Sequence, residues 1–216
     1  MTIAQAETTA LVLLNGITRP AKSWHSLRSE LRPASMLALD GVGTTSNTTA
    51  SIPEQARDVL ARMDADGIAA ADVIGFSHGG LIAQQLAHIA PERVRRLVLL
   101  ATSCGTGAIA PEFTWSMGPW LRTRDADAHD VSTIAGQLIA ISAWSSISFL
   151  GSIAAPTLVM HGTHDRLVPV ENARILARRI PGARLELLDC GHDLQRPDRV
   201  PLVARAINEF LSARPV

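Results

Sequence analysis

The stretch Asp72-Val73-Ile74-Gly75-Phe76-Ser77-His78-Gly79-Gly80, running on into the apolar segment Leu81 to Ile89, decides the reading of the whole chain. Asp72 to Phe76 has the length and apolarity of a core strand, and Leu81 to Ile89 continues as a helix. Between them stands the spacing Gly75-x-Ser77-x-Gly79. A serine forced into so sharp a strand-to-helix turn takes a strained backbone conformation, and small residues two before and two after it let strand and helix pass closely. The turn pushes Oγ outward, while the helix start behind it aims backbone N–H groups at any negative charge forming there. Ser77 is therefore the candidate nucleophile, and the N–H of His78 a candidate oxyanion donor.

Working outward, short apolar runs bounded by turn residues recur at Ala10 to Leu14, Ser35 to Leu39, Val94 to Ala101, Thr157 to Met160 and Arg184 to Leu188, giving six strands with the one before Ser77. Helical periodicity fills the intervals. Ile52, Ala56, Val59, Leu60 and Met63 share one face behind a Ser51-x-x-Glu54 capping box; Ala173, Leu176, Ala177 and Ile180 share another, with Gly182 as the stop signal. Val200, Val203, Ala204, Ile207, Phe210 and Leu211 form the clearest stripe. Near-continuous apolar strands alternating with such helices predict an α/β, doubly wound, mostly parallel six-stranded sheet covered on both faces.

From Gly105 to about Gly151 the alternation breaks. This segment holds Trp115, Trp120 and Trp144, three of the four tryptophans, with a helix expected from a cap at Asp130 through Val131, Ile134, Leu138 and Ile141. Nothing in it marks a separate domain, so residues 1–216 read as one domain with a cap insertion at about 105–151. Its tryptophans either line an apolar cleft, with Trp115 and Trp120 as candidate substrate contacts, or fill a helix-to-sheet interface.

The whole chain narrows the function further. With 216 residues, 47% apolar, there is material for one sizeable core. Twenty Lys and Arg balance twenty Asp and Glu, and no basic run exceeds two residues, which argues against a nucleic-acid or anionic-membrane partner. No apolar stretch approaches the roughly 20 residues that span a bilayer, and Met1 to Thr9 lacks the pattern of a secretory leader, so a cytoplasmic protein is expected. Cys104 and Cys190 are too few for a disulfide framework and form no CxxC zinc motif; they read as reduced thiols.

A serine is a poor nucleophile unless a histidine takes its proton and a carboxylate orients that histidine. Asp165, in His161-Gly162-Thr163-His164-Asp165, follows the fifth strand; His192, in Cys190-Gly191-His192-Asp193, follows the sixth. Both emerge at the carboxyl ends of strands, the edge where open α/β sheets bind ligands and where Ser77 emerges too. The competing role for Asp165 is to cap a turn or the next helix. His25 and His88 fall within helices and His129 within a charged segment, and the spacing of His161, His164 and Asp165 puts no ligand set on one helix face, so no metal is expected. A second oxyanion donor is expected after the first strand, where Asn15-Gly16 lets the chain turn and aims the N–H of Ile17 at the substrate oxygen.

Together these residues resemble the α/β-hydrolase superfamily from Leu11 to Leu211. Leu13-Leu14-Asn15-Gly16-Ile17, Ala83-Gln84-Gln85-Leu86-Ala87-His88, Pro91-Glu92-Arg93, Leu97-Val98-Leu99-Leu100-Ala101-Thr102 and Ala143-Trp144-Ser145-Ser146-Ile147 are similar to intracellular polyhydroxyalkanoate depolymerases and their esterase relatives. The resemblance implies Ser77, Asp165 and His192 as nucleophile, acid and base, and Ile17 and His78 as oxyanion donors. Two features differ: the N-terminal strand hairpin of that family is reduced or missing in Met1 to Thr9, and the insertion is short.

The expectation is a cofactor-free serine esterase acting through an acyl-enzyme on a small ester or polyester, with an apolar acyl pocket, as a monomer or homodimer. A depolymerase-like polyester hydrolase, an acyltransferase or perhydrolase with the same three residues, and a ligand-binding protein on the same fold are the alternatives.

Overall fold

The computed structural model describes residues 10–17, 19, 21–32, 35–39, 51–109 and 131–213. Six strands form one sheet: β1 (Ala10–Leu14), β2 (Ser35–Leu39), β3 (Ala71–Phe76), β4 (Val94–Leu100), β5 (Thr157–Gly162) and β6 (Arg184–Leu188), in the order β2-β1-β3-β4-β5-β6. Every pairing is parallel. Among the described residues, six helices accompany them: α1 (His25–Glu30), α2 (Ile52–Ala65), α3 (His78–Ile89), α4 (Val131–Ser142), α5 (Glu171–Arg179) and α6 (Val200–Ser212).

The sheet is buried on both faces because alternate strand residues feed two cores. Val12, Leu14, Val73, Leu97, Leu99 and Val159 pack with Ile52, Val59 and Met63 of α2, Ile82 and Leu86 of α3, and Leu176 of α5. Leu11, Leu13, Ile74, Phe76, Val98, Leu100 and Met160 face the other way, onto Trp24, Leu27 of α1 and Val203 and Ile207 of α6. Each helix stripe read from the sequence therefore lands on the sheet. The α2 capping box forms as well: the Glu54 carboxylate accepts from the Ser51 backbone N–H at 2.7 Å and from Ser51 Oγ at 2.8 Å.

Strand ends differ from the sequence reading in two informative places. Ala101 leaves β4 with φ +47°, so that the strand stops at Leu100, and β5 runs on through His161 to Gly162. Apolarity marks the sheet interior, but hydrogen bonding to the neighbouring strand determines where a strand stops. Met1 to Thr9, where the reduced hairpin was expected, lies outside the described residues, as do Asp130 and the part of the insertion holding Trp115 and Trp120. The two ends of the 105–151 segment are tied together: Thr106 N–H donates to the Trp144 carbonyl at 2.7 Å and Ser146 N–H to that of Cys104 at 3.0 Å. No described helix is long and apolar enough to cross a membrane.

The tightest packing lies where α3 starts beneath β1. A Cβ on Gly79 would sit 2.1 Å from the Leu14 carbonyl oxygen, and one on Gly75 2.5 Å from the Gly79 carbonyl oxygen. Both obstacles are backbone and cannot swing aside. Gly79→Ala is accordingly expected to destabilise the protein by about 3 kcal/mol or more, read as the fall in urea midpoint against wild type; an unchanged midpoint contradicts the close crossing.

Candidate active site

Ser77 joins β3 to α3 with φ 52° and ψ −116°, the strained turn expected for it. Three hydrogen bonds hold that conformation. Its N–H donates to the Leu100 carbonyl at 2.8 Å, while its own carbonyl accepts from Thr102 Oγ1 at 2.7 Å and from the Gly80 N–H at 2.9 Å. The end of β4 and the first turn of α3 thus over-determine a backbone that costs about 1–3 kcal/mol if unsupported.

The structure brings the three residues of the sequence reading together. His192 Nε2 lies 3.2 Å from Ser77 Oγ, and His192 Nδ1 lies 2.7 Å from Asp165 Oδ2. The Phe76 ring, 5.1 Å from the His192 ring and tilted 49° to it, supports the imidazole from below. With Nδ1–H donated to the carboxylate, the Nε2 lone pair faces the serine hydroxyl, the tautomer needed for proton removal.

Asp165 also fulfils the competing role considered for it. Its Oδ1 accepts from the backbone N–H groups of Leu167 and Val168, both at 2.9 Å, so one oxygen fixes the local turn while the other meets His192. The side chain is fully buried. Burial alone raises its pKa, but hydrogen bonds from His161 and His192, attraction to His192 and the Val168 N–H outweigh it and hold the carboxyl well below the usual carboxylate range. These contacts favour the ionised form of Asp165.

His161, weighed in the sequence only as a metal ligand, is part of this setting. Its Nε2–H is shared between the Val168 carbonyl at 2.8 Å and Asp165 Oδ2 at 3.1 Å. Its apolar strand context masked this role, since only tertiary packing shows that β5 turns the ring back under Asp165. His164 points elsewhere, to Asp189 at 2.7 Å on the surface. Among the described residues no three His, Cys, Asp or Glu side chains converge as a metal site requires.

Of the two oxyanion candidates, one follows Ser77 in the chain and the other follows a glycine packed against it. His78 opens α3, and Ile17 follows Gly16, at which a Cβ would lie 2.9 Å from the Phe76 ring and 3.3 Å from Ser77 Cβ. The bare glycine lets the β1 loop press against Ser77. The side chain of His78 turns away, its Nε2–H donating to Gln55 Oε1 of α2 at 2.7 Å. Trp144 is a core residue: its Nε1–H donates to Gln85 Oε1 at 2.7 Å and its ring meets Phe149 edge-on. His88 stacks on Phe149 at 4.1 Å, and His25 is exposed at the start of α1.

The chain matches the family model of the alpha/beta hydrolase fold over residues 9–132 and 120–196. It belongs to the α/β-hydrolase fold family. It is 31% identical over 239 aligned positions to a poly(3-hydroxyalkanoate) depolymerase of Ectopseudomonas oleovorans, spanning 94% of this chain and 84% of that one. A 2-hydroxymuconate semialdehyde hydrolase of Pseudomonas putida is 32% identical over 69% of this chain and 65% of its own. The crystal structure of a hydrolase from Pseudomonas aeruginosa PA01 superposes with a TM-score of 0.80 at 26% identity, covering 97% of this chain and 92% of that one. As in the sequence reading, the α/β-hydrolase architecture and the likeness to depolymerases stand, and the chain sits in a family of hydrolases.

One consequence of the site is measurable without substrate. Burial pushes the His78 imidazole down to about 4 from an ordinary 6.5, so the unfolded chain binds a proton that the native state does not. Stability therefore rises with pH across that window, and falls by about 3 kcal/mol as pH drops from 6.5 to 4. His78→Met is expected to lack this slope; urea unfolding of both proteins from pH 7 to 4 checks it, and parallel curves would exclude the buried neutral imidazole.

Proposed function

We propose that this protein is a serine hydrolase of carboxylic esters. The observation that carries the reading is the unbroken line from Ser77 Oγ through the His192 imidazole to the buried Asp165 carboxylate, 3.2 Å and 2.7 Å long, mounted on a strained strand-to-helix turn. In this reading Ser77 Oγ attacks the ester carbonyl as its proton passes to His192 Nε2, and Asp165 holds the imidazole and balances the charge it gains. The N–H groups of Ile17 and His78 receive the oxyanion, aided by the N-terminus of α3. Collapse of the tetrahedral intermediate breaks the bond to the alcohol, which leaves with the proton from His192. Water, activated by the same imidazole, then releases the acid from the acyl-enzyme. The 3.2 Å separation is at the loose end for a hydrogen bond, as is common before substrate tightens the contact.

Residues 1–216 act in this proposal as one domain, with the segment at about 105–151 over the Ser77 edge and Trp115 and Trp120 within it contributing to an apolar acyl pocket. A second reading, a polyester as substrate, is favoured by the 31% identity to the poly(3-hydroxyalkanoate) depolymerase.

Initial rates on p-nitrophenyl esters from acetyl to dodecanoyl separate these. Wild type is expected to hydrolyse at least part of the series, and Ser77→Ala to lose about a thousandfold or more in kcat/KM at matched folded concentration. Activity retained in Ser77→Ala removes Ser77 as nucleophile. Turbidity loss of poly(3-hydroxyalkanoate) particles, with little turnover of short esters, would move the assignment to the polyester.

A further inference from the structure

The proposed machinery sits on loops that the sheet does not join directly. Ile17 follows β1 and His192 follows β6, and β3, β4 and β5 stand between those strands in the sheet. No strand ladder therefore sets the spacing between an oxyanion donor and the base, although catalysis through both depends on that spacing to within a fraction of an ångström.

One side chain bridges the gap. Arg19 lies two residues beyond Ile17, its side chain 10% exposed, and reaches across to the loop after β6. Its Nη2 donates to Asp193 Oδ2 at 2.5 Å, and its Nη1 donates to Gln195 Oε1. Asp193 adjoins His192, and its other oxygen accepts the Gln195 N–H at 3.2 Å, so the acceptor pair is itself braced. The guanidinium lies 4.9 Å from the centroid of the Phe76 ring. That ring precedes Ser77, supports His192 and fills the space left by the missing Cβ of Gly16. Arg19 thus touches neighbours of all three proposed elements: the oxyanion loop, the base loop and the strand end before the nucleophile. A planar fork with several donors suits this task, because two acceptors engaged at once fix orientation as well as distance.

We propose that Arg19 is a positioning residue that locks the loop carrying Ile17 to the loop carrying His192, so that oxyanion donor and imidazole keep a set spacing across Ser77. The inference rests on the esterase reading for its catalytic consequence, while the lock itself is a property of the two loops.

The test uses Arg19→Met, which keeps an apolar stem over Phe76 and removes the donors, together with Arg19→Lys and the double variant Arg19→Met with Asp193→Asn. Against wild type, Arg19→Met is expected to lose about 10- to 100-fold in kcat on the best p-nitrophenyl ester, with KM changed less than twofold. Arg19→Lys recovers part of the loss, since an ammonium still reaches Asp193. The double variant stays as slow as Arg19→Met. Full recovery in the double variant would show that the Asp193 charge, not lost geometry, slowed the enzyme, and would overturn the proposal. So would a lowered melting temperature with kcat unchanged, the signature of a merely structural residue.

Hydrogen exchange separates this from failure of the esterase reading. Faster amide exchange in both 15–19 and 189–195 in Arg19→Met supports the lock even if wild type shows no Ser77-dependent turnover. Exchange that is unchanged, or faster only around Arg19, overturns it.

Discussion

At Ser77 the backbone adopts a conformation that side-chain-bearing residues avoid, and it persists because α3 starts so close to β3 and to the end of β1 that nothing larger than hydrogen fits at Gly75 and Gly79. The rest of the site depends on that crossing. It buries the first turn of α3 under the end of β1, ties the Ser77 amide and carbonyl to Leu100 and Thr102, and leaves Oγ as the part of the residue that projects towards His192. The parallel sheet then delivers the partners without further strain, because consecutive strands all point their carboxyl ends to the same edge. Asp165 arrives after β5 and His192 after β6, neighbours in the sheet although 27 residues apart in the chain.

Electrostatics refine what topology delivers. A carboxylate buried as completely as Asp165 would hold its proton if burial acted alone. Two backbone N–H groups on one oxygen and two imidazoles near the other reverse that balance, so Asp165 keeps its charge and His192 keeps the tautomer that faces Ser77. The division of labour between the two oxygens also explains why a turn-capping aspartate and a histidine-orienting aspartate need not be alternatives here. Elsewhere the same packing acts in the opposite direction: His78, inside the protein and hydrogen-bonded to Gln55, is kept neutral by burial. Its side chain braces α2 against the start of α3 and lies outside the Ser77–His192–Asp165 line.

Much of this was legible in the linear chain because the signals are local. Apolar runs and helical stripes mark segments that pack on a sheet, and Ser51-x-x-Glu54 and Gly75-x-Ser77-x-Gly79 mark backbone geometries that few residues tolerate. Each describes a constraint between residues close in sequence. The strands, the α2 cap and the strained turn accordingly appear where periodicity and small-residue spacing put them, with β3, β4 and β5 differing only at their ends. His161 and Arg19 were not legible in those roles. The imidazole of His161 reads as one polar residue at the end of an apolar run, and Arg19 as one charge in a polar loop, until β5 and β6 bring distant partners beside them.

The sequence by itself determined the alternation of strands and helices, the strained serine turn and the order in which Ser77, Asp165 and His192 reach one sheet edge, since these depend on periodicity, steric size and chain direction. Only the tertiary structure decided which oxygen of Asp165 meets His192, that His161 lies beneath the same carboxylate, and that Arg19 spans to Asp193 and Gln195. Those contacts join residues 4 to 176 positions apart. Side-chain direction in a folded interior is set by what already occupies the neighbouring space, and no local pattern encodes that.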